Sequence, residues 1–210
     1  MTAFINDCTG AILAGGENTR MPLLKSFIEV GGQKIIERNI GTTRPLFKEY
    51  FIVTNQPEYY SALGVPLLGD VYDERGPMTG IFTVLLNASN SWVFISACDM
   101  PFLNKDLIGY MAMKRAGKDA VVPVSGGNSE PLFAFYSRQL TDKMEKALLS
   151  GNKSLRDFLR NKRVQYITTE ETGKIDTHAA SFVNLNSPDD IERYLQKSDI
   201  TRFKRSLKGR

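Results

Sequence analysis

Histidine is almost absent from this 210-residue chain: only His178 is present. A Ser-His-Asp or Cys-His catalytic pair needs an imidazole held at hydrogen-bond distance from its partner. With one histidine to offer, the chain is a poor candidate for that chemistry, and His178 is assigned no catalytic role. Cysteine is nearly as scarce. Cys8 and Cys98 are too few and too far apart in sequence for a disulfide framework or a zinc site, and both are expected to be small buried thiols. No run approaches the ~18 apolar residues that a membrane helix needs. The opening MTAFINDCTGAILAGG lacks the charged start and apolar stretch of a secretory signal. The expected location is therefore the cytoplasm, with no membrane contact. Internal repeats and low-complexity segments are missing, and so are the GxxxxGK(S/T) and GxGxxG fingerprints of P-loop and dinucleotide-binding proteins.

Excess charge of one sign is also missing once the formal +4 is located. Between Lys197 and Arg210 six basic residues stand against the single acid Asp199, so the tail carries +5 and residues 1–196 carry −1. A basic terminus can mark nucleic-acid binding, but nothing else in the chain supports it. The tail is read as a short solvated terminus, and no nucleic-acid partner is expected. With 42% hydrophobic side chains, the rest can bury one substantial core. The expected organisation is a single domain over residues 1–196 followed by a basic tail over 197–210.

Short runs rich in β-formers alternate with segments of helical period. The runs Ala11–Ala14, Tyr50–Thr54, Trp92–Ala97, Ala120–Val124, Leu132–Tyr136, Val164–Ile167 and Phe182–Leu185 predict strands. Leu140, Met144, Ala147 and Leu148 fall on one helical face, as do Ile81, Val84, Leu85 and Ala88, and Ile191, Tyr194 and Leu195. Ser187 and Pro188 suit the start of the last of these helices. Such alternation implies an α/β fold, a mostly parallel mixed sheet with helices on both faces. Leu132–Tyr136 follows Ala120–Val124 so closely that a hairpin-like, mixed edge is expected there. Ligands of open α/β sheets bind beyond the carboxyl ends of the strands, so the residues at those ends carry the functional information.

The first strand runs into Gly15 and Gly16, then Arg20 and Lys25. Two glycines let backbone amides approach a ligand, and two cations nearby suit a polyphosphate. Alone, the pattern would sooner describe a tight turn followed by an exposed basic loop. The apolar run Trp92–Ala97 ends in Cys98-Asp99-Met100-Pro101. A carboxylate at the mouth of a central strand can hold Mg2+, a hard cation that takes oxygen ligands and bridges phosphates; the alternative is a turn cap. Taken with the first loop, Asp99 is assigned to the metal. A third group is Asp70 with Gly76-Pro77-Met78-Thr79-Gly80, whose backbone could lie against a flat base or simply form a turn.

These residues resemble the molybdenum cofactor guanylyltransferases. Leu13-Ala14-Gly15-Gly16 with Arg20-Met21 and Lys25 is similar to that family's opening signature. Gly76-Pro77-Met78-Thr79-Gly80 is similar to its purine-proximal loop and Cys98-Asp99-Met100-Pro101-Phe102 to its metal motif, while Pro131–Tyr136 and Phe182–Pro188 resemble later motifs. The matches keep the family's order over roughly residues 10–196. The resemblance implies a Rossmann-like nucleotidyltransferase fold and transfer of GMP from GTP to the terminal phosphate of molybdopterin, with release of pyrophosphate. It implies contacts to GTP from Leu13, Ala14, Gly15, Gly16, Lys25, Asp70 and Asp99, with Mg2+ on Asp99 and charge neutralisation by Arg20 and Lys25. Asn55, or its neighbour Thr54, would join them, and Asn184 and Asn186 would stand near the acceptor or complete the metal site. The implied partners are small-molecule substrates, with molybdopterin-delivering and molybdoenzyme-assembly proteins around a monomer or weak homo-oligomer. One departure stands out. The family usually has Arg-Met-Gly where this chain has Arg20-Met21-Pro22, and proline supplies no amide donor. A cytidylyltransferase for the same cofactor, a sugar-phosphate nucleotidyltransferase and a non-catalytic nucleotide-binding accessory protein are the alternatives. Leu13-Ala14-Gly15-Gly16 looks more like the guanylyl branch than the Leu-Ala-Ala-Gly of the cytidylyl one.

Overall fold

The computed structural model describes residues 4–15, 24–73, 76–185 and 190. The chain opens with β1 (Cys8–Leu13), a small hairpin of β2 (Glu29–Val30) and β3 (Gln33–Lys34), and α1 (Ile35–Thr43). β4 (Glu49–Val53), β5 (Leu67–Leu68), α2 (Pro77–Asn87), β6 (Trp92–Ala97) and α3 (Lys105–Ala112) follow. Then come β7 (Ala120–Ser125), β8 (Asn128–Ser129), β9 (Phe133–Ser137), α4 (Thr141–Leu149), α5 (Leu155–Arg160), β10 (Val164–Ile167) and α6 (Thr169–Gly173). The main sheet has the order β10-β7-β9-β6-β1-β4-β5, with β8 paired to β7.

Neighbours run parallel except where β9 pairs antiparallel with both β6 and β7, and where β8 pairs antiparallel with β7. The expected antiparallel pairing of the fourth and fifth runs is present, joining Ala120 to Tyr136 and Val121 to Phe135. It lies inside the sheet rather than at its edge, because β10 adds outside β7 in parallel. The link between β7 and β8 turns at Gly126 and Gly127, with φ of 55° and 82°, left-handed values that glycine adopts without steric cost.

Alternation along each strand divides the core in two. Cys8 and Ile12 of β1, Tyr50 and Ile52 of β4, Phe94 of β6 and Phe133 and Phe135 of β9 face Ile36 of α1 and Leu107, Ile108 and Met111 of α3. Ala11, Leu13, Val53, Val93, Ile95, Ala134 and Tyr136 face the opposite way, toward α2, α4 and α5. The helices thus cover both faces, as the strand–helix alternation predicts. Gly10 shows how tight the first face is. A β-carbon there would meet the Phe47 ring at 2.4 Å and the Tyr50 ring at 2.6 Å, so both rings lie across β1 only because that position is bare. Phe47 stacks in turn on Phe94, at 5.7 Å between ring centres. Truncating so fully buried a ring as Phe94 would cost about 3–5 kcal/mol.

Two expectations are corrected. Phe182–Leu185 is not a strand: Ala180–Phe182 forms a 3-10 turn and extended chain follows. Phe182 and Leu185 are apolar because they are buried, Phe182 edge-on to Phe133, and not because they pair in the sheet. The helix expected from Ile81 begins at Pro77, so most of the Gly76–Gly80 segment is a first helical turn and not a loop. Proline fits that first position, where no amide donor is missed. The helix expected around Ile191–Leu195, with its cap at Ser187, and the tail after Gln196 lie outside the described residues. Among the described residues no helix is long and apolar enough to cross a membrane.

Candidate active site

From β1 the chain moves outward through β4 and β5, then returns to place β6 on the other side of β1. The connections therefore diverge between β1 and β6, and a crevice at such a point is where open α/β sheets receive ligands. The register fixes what stands there. Leu13 is opposite Ala97, so Ala14-Gly15 and Cys98-Asp99 leave the sheet side by side, joined by a hydrogen bond from the Cys98 amide to the Leu13 carbonyl (3.1 Å). On the other side the Ala14 amide donates to Val53 O (2.8 Å) and the Thr54 amide to Leu68 O (2.8 Å). The carboxyl ends of β6, β1, β4 and β5 thus form one continuous rim.

Lys25 reaches this rim from a short 3-10 turn, Lys25–Phe27, closed by Phe27 N–H to Leu24 O (2.9 Å). Its Nζ stands 3.8 Å from Oδ2 of Asp99, with about a fifth of each side chain exposed. That separation is an ion pair without a hydrogen bond. Burial lifts the Asp99 carboxyl above its ordinary range, and the Lys25 ammonium pulls it part of the way back. A half-desolvated carboxylate of this kind is better served by a further cation at its oxygens. Among the described residues no group of three or more His, Cys, Asp or Glu could hold a metal. The Asp99 carboxylate fits a hard ion that keeps water and phosphate ligands, as Mg2+ does. Burial pushes the neighbouring Cys98 thiol up to about 12, so it stays protonated at neutral pH and is no nucleophile.

A second pair flanks the first. The Asn55 side chain donates from Nδ2 to Oδ2 of Asp70 (2.8 Å) and accepts at Oδ1 from the Asp70 amide (2.9 Å), locking the loop after β4 to the loop after β5. Of the two candidates at the end of β4, Asn55 is the one turned to Asp70. Thr54 is buried, its hydroxyl accepting from the Gln56 amide (3.1 Å). The bare Cα of Gly80 lets the first turn of α2 close on both groups: a β-carbon there would lie 3.2 Å from Leu13 and 3.8 Å from Asp70. On the far side, the Leu185 amide donates to the Asp99 carbonyl (3.1 Å), which holds Asn184 beside the end of β6. The structure thus gathers Leu13, Ala14, Gly15, Lys25, Asp99 and Asn184 around one crevice, with Asn55 and Asp70 along the same rim. Gly16, Arg20 and Asn186 lie outside the described residues, as does Pro22.

Two residues in this neighbourhood escape sequence reasoning. Ser26 and Tyr60 are both about 1% exposed, and their hydroxyls lie 2.8 Å apart. Neither sits in a recognisable motif; only the position of Ser26 beside Lys25 gave any signal. Two surface depressions of about 540 and 510 Å3 open instead at the amino end of the strands, near Trp92 and Tyr50 respectively. In the first, Arg115 is paired with Asp7 at 2.8 Å and Arg163 with Asp119 at 2.7 Å, so these arginines already have carboxylate partners.

The family model of the MobA-like NTP transferase domain matches residues 10–167. A protein of Natranaerobius thermophilus named as a probable molybdenum cofactor guanylyltransferase is 35% identical over 203 residues, covering 92% of this chain and 99% of its own. The molybdenum cofactor guanylyltransferase of Syntrophotalea carbinolica is 31% identical over 188 residues, covering 89% and 90%. Among solved structures, molybdopterin-guanine dinucleotide biosynthesis protein A from Archaeoglobus fulgidus superposes with a TM-score of 0.77 at 27% identity, over 88% of this chain and 95% of that one.

Proposed function

The chain belongs to the MobA-like NTP transferase family, and from that membership we propose that it transfers GMP from GTP to the terminal phosphate of molybdopterin. An oxygen of the acceptor phosphate attacks the α-phosphorus of GTP. A new P–O bond forms, the bond between the α-phosphorus and the α–β bridging oxygen breaks, and pyrophosphate leaves. The nucleophile is already an anion, so no strong general base is needed, which accords with a single histidine in the chain. Rate acceleration then comes from positioning and charge stabilisation, as is general in transfers at phosphorus.

The observation that carries this reading is the meeting of Lys25 and Asp99 across the point where β1 and β6 diverge, 3.8 Å apart. Lys25 and Arg20 neutralise the triphosphate as charge builds on the leaving pyrophosphate. The backbone of Leu13, Ala14, Gly15 and Gly16 lies along the nucleotide. Asn55 and Asp70, fixed to each other, orient its nucleoside end, and Asn184, with Asn186 by family resemblance, is assigned to the acceptor. Asp99 would hold Mg2+, which when bound supplies Lewis-acid charge stabilisation to the phosphates. The reaction is assigned to the cytoplasm, with molybdopterin-delivering and molybdoenzyme-assembly proteins as partners of a monomer or weak homo-oligomer. Names of the relatives support guanine over other bases.

The test is pyrophosphate release by the full chain with magnesium and molybdopterin-bearing protein, comparing GTP with CTP. Release with GTP at least tenfold above that with CTP is expected. Faster release with CTP would overturn the choice of base, and no release with either nucleotide would overturn the transferase reading.

A further inference from the structure

Lys25 is carried on only three residues of 3-10 turn, which by themselves do not fix a long side chain to within an ångström. Tyr60 braces the turn through Ser26 and Phe27. The phenol enters from the loop beyond β4, at the junction of two further 3-10 turns, Pro57–Tyr59 and Ser61–Leu63. Both are tied to Tyr60 itself, through its amide to Pro57 O (3.0 Å) and its carbonyl from Leu63 N–H (3.0 Å). From that anchored position its hydroxyl meets Oγ of Ser26 at 2.8 Å, and its ring packs on Phe27 with 5.4 Å between centres. Tyr60 therefore grips the two residues that follow Lys25.

We propose that Tyr60 is a positioning residue for Lys25: through Ser26 it sets where the ammonium stands relative to Asp99, and hence how tightly GTP with magnesium is held. The inference rests on the reading above that Lys25 contacts the triphosphate. Removing the hydroxyl leaves the ring packed but releases the turn, and Lys25 then samples positions from which it meets the phosphates less often. Ser26 is the other half of the same bond and should behave alike.

The experiment is titration calorimetry of GTP with magnesium against the wild-type chain, Tyr60→Phe, Ser26→Ala, Lys25→Ala and the double variant Lys25→Ala/Tyr60→Phe. Loss of one buried hydrogen bond is worth about 1 kcal/mol, or roughly fivefold in affinity. Tyr60→Phe and Ser26→Ala are each expected to weaken GTP binding about fivefold, Lys25→Ala by at least as much, and the double variant no more than Lys25→Ala alone. A merely structural role would instead weaken binding again in the Lys25→Ala background, and that additivity would overturn the proposal. So would wild-type affinity in Tyr60→Phe and Ser26→Ala while Lys25→Ala binds weakly, a result that leaves the site reading standing. Wild-type affinity in Lys25→Ala would sink both together. Should Tyr60→Phe unfold, Ser26→Ala and Lys25→Ala/Ser26→Ala carry the same comparison with a smaller change in volume.

Discussion

The chemistry of the candidate site is decided by two side chains of opposite charge set 3.8 Å apart in a half-buried crevice. Asp99 is lifted by burial and only partly restored by Lys25, so the carboxylate is sensitive to loss of the ammonium. Asp99→Asn removes the carboxylate oxygen charge that would hold a divalent cation, while keeping the shape. Lys25→Ala removes the ammonium that the proposed mechanism sets against the phosphates. Each is expected to lower pyrophosphate release by about 100-fold or more, the usual cost of removing one preorganised charge contact, with thermal unfolding near that of the wild type. Near-normal turnover in either variant would break the site assignment. Asn55 was the softest match in the sequence and is the residue the fold ties most firmly to Asp70, by two hydrogen bonds. That partnership spans fifteen residues and two loops, and no local pattern encodes it. Ser26 and Tyr60 were invisible for the same reason.

At the scale of elements, the longer strands of the main sheet were legible, the edge strand β10 among them, and the two-residue strands β2, β3, β5 and β8 were not. Trp92–Ala97 and Val164–Ile167 match the predicted runs end for end, because β-branched and aromatic residues there serve burial and pairing at once. Phe182–Leu185 shares the composition but spends it on filling the core beside Phe133. Periodicity reports which residues are buried, not which are hydrogen-bonded. Helices α3, α5 and α6 were not predicted, although polar side chains mark their starts: Asn104, Ser154 and Thr168 each accept from amides of the first turn. The edge strand β10 depends on a device of its own. Arg163, just before it, donates from Nη2 to Oδ1 of Asp119 (2.7 Å) and from its amide to Oδ2 (2.9 Å), and the Arg163 guanidinium holds the Asp119 carboxyl below its usual range. A lowered folded-state value contributes stability above the unfolded carboxylate pKa of about 3.9, and that stability is lost as pH falls through the folded value. Protection factors of the amides in Val164–Ile167, taken relative to the unfolded-chain rate at each pH, should therefore fall below about pH 4 in the wild type and be already lower at neutral pH in Asp119→Asn. Equal protection in variant and wild type at pH 7 would show that the strand is held by its ladder alone.

For the whole molecule, the division of charge sets the expectation. Residues 1–196 carry −1 and the tail +5, so the basic pI of about 9.0 says little about the crevice. The family match ends at residue 167, and the described residues that gather at the rim end at Asn184, beside Leu185. We propose one catalytic domain over 1–196 with a tail that is not needed for the chemistry. A chain ending at Gln196 should release pyrophosphate from GTP at a rate within about twofold of the full chain, a bound that corresponds to less than ~0.5 kcal/mol. A loss beyond tenfold in a folded truncation would make the tail part of the site.

By itself the sequence determined the layered α/β fold and which strand ends offer the candidate groups, because both are local: a two-residue period, a glycine turn after a strand, a carboxylate closing another. Only the tertiary structure decided that β1 and β6 are neighbours with Leu13 opposite Ala97, which turns two separate motifs into one crevice. It also decided that β9 enters the sheet reversed and that Tyr60 lies against Ser26 and Phe27. These are contacts between residues tens of positions apart. They are selected by the packing of the entire core, and no window of sequence contains both partners.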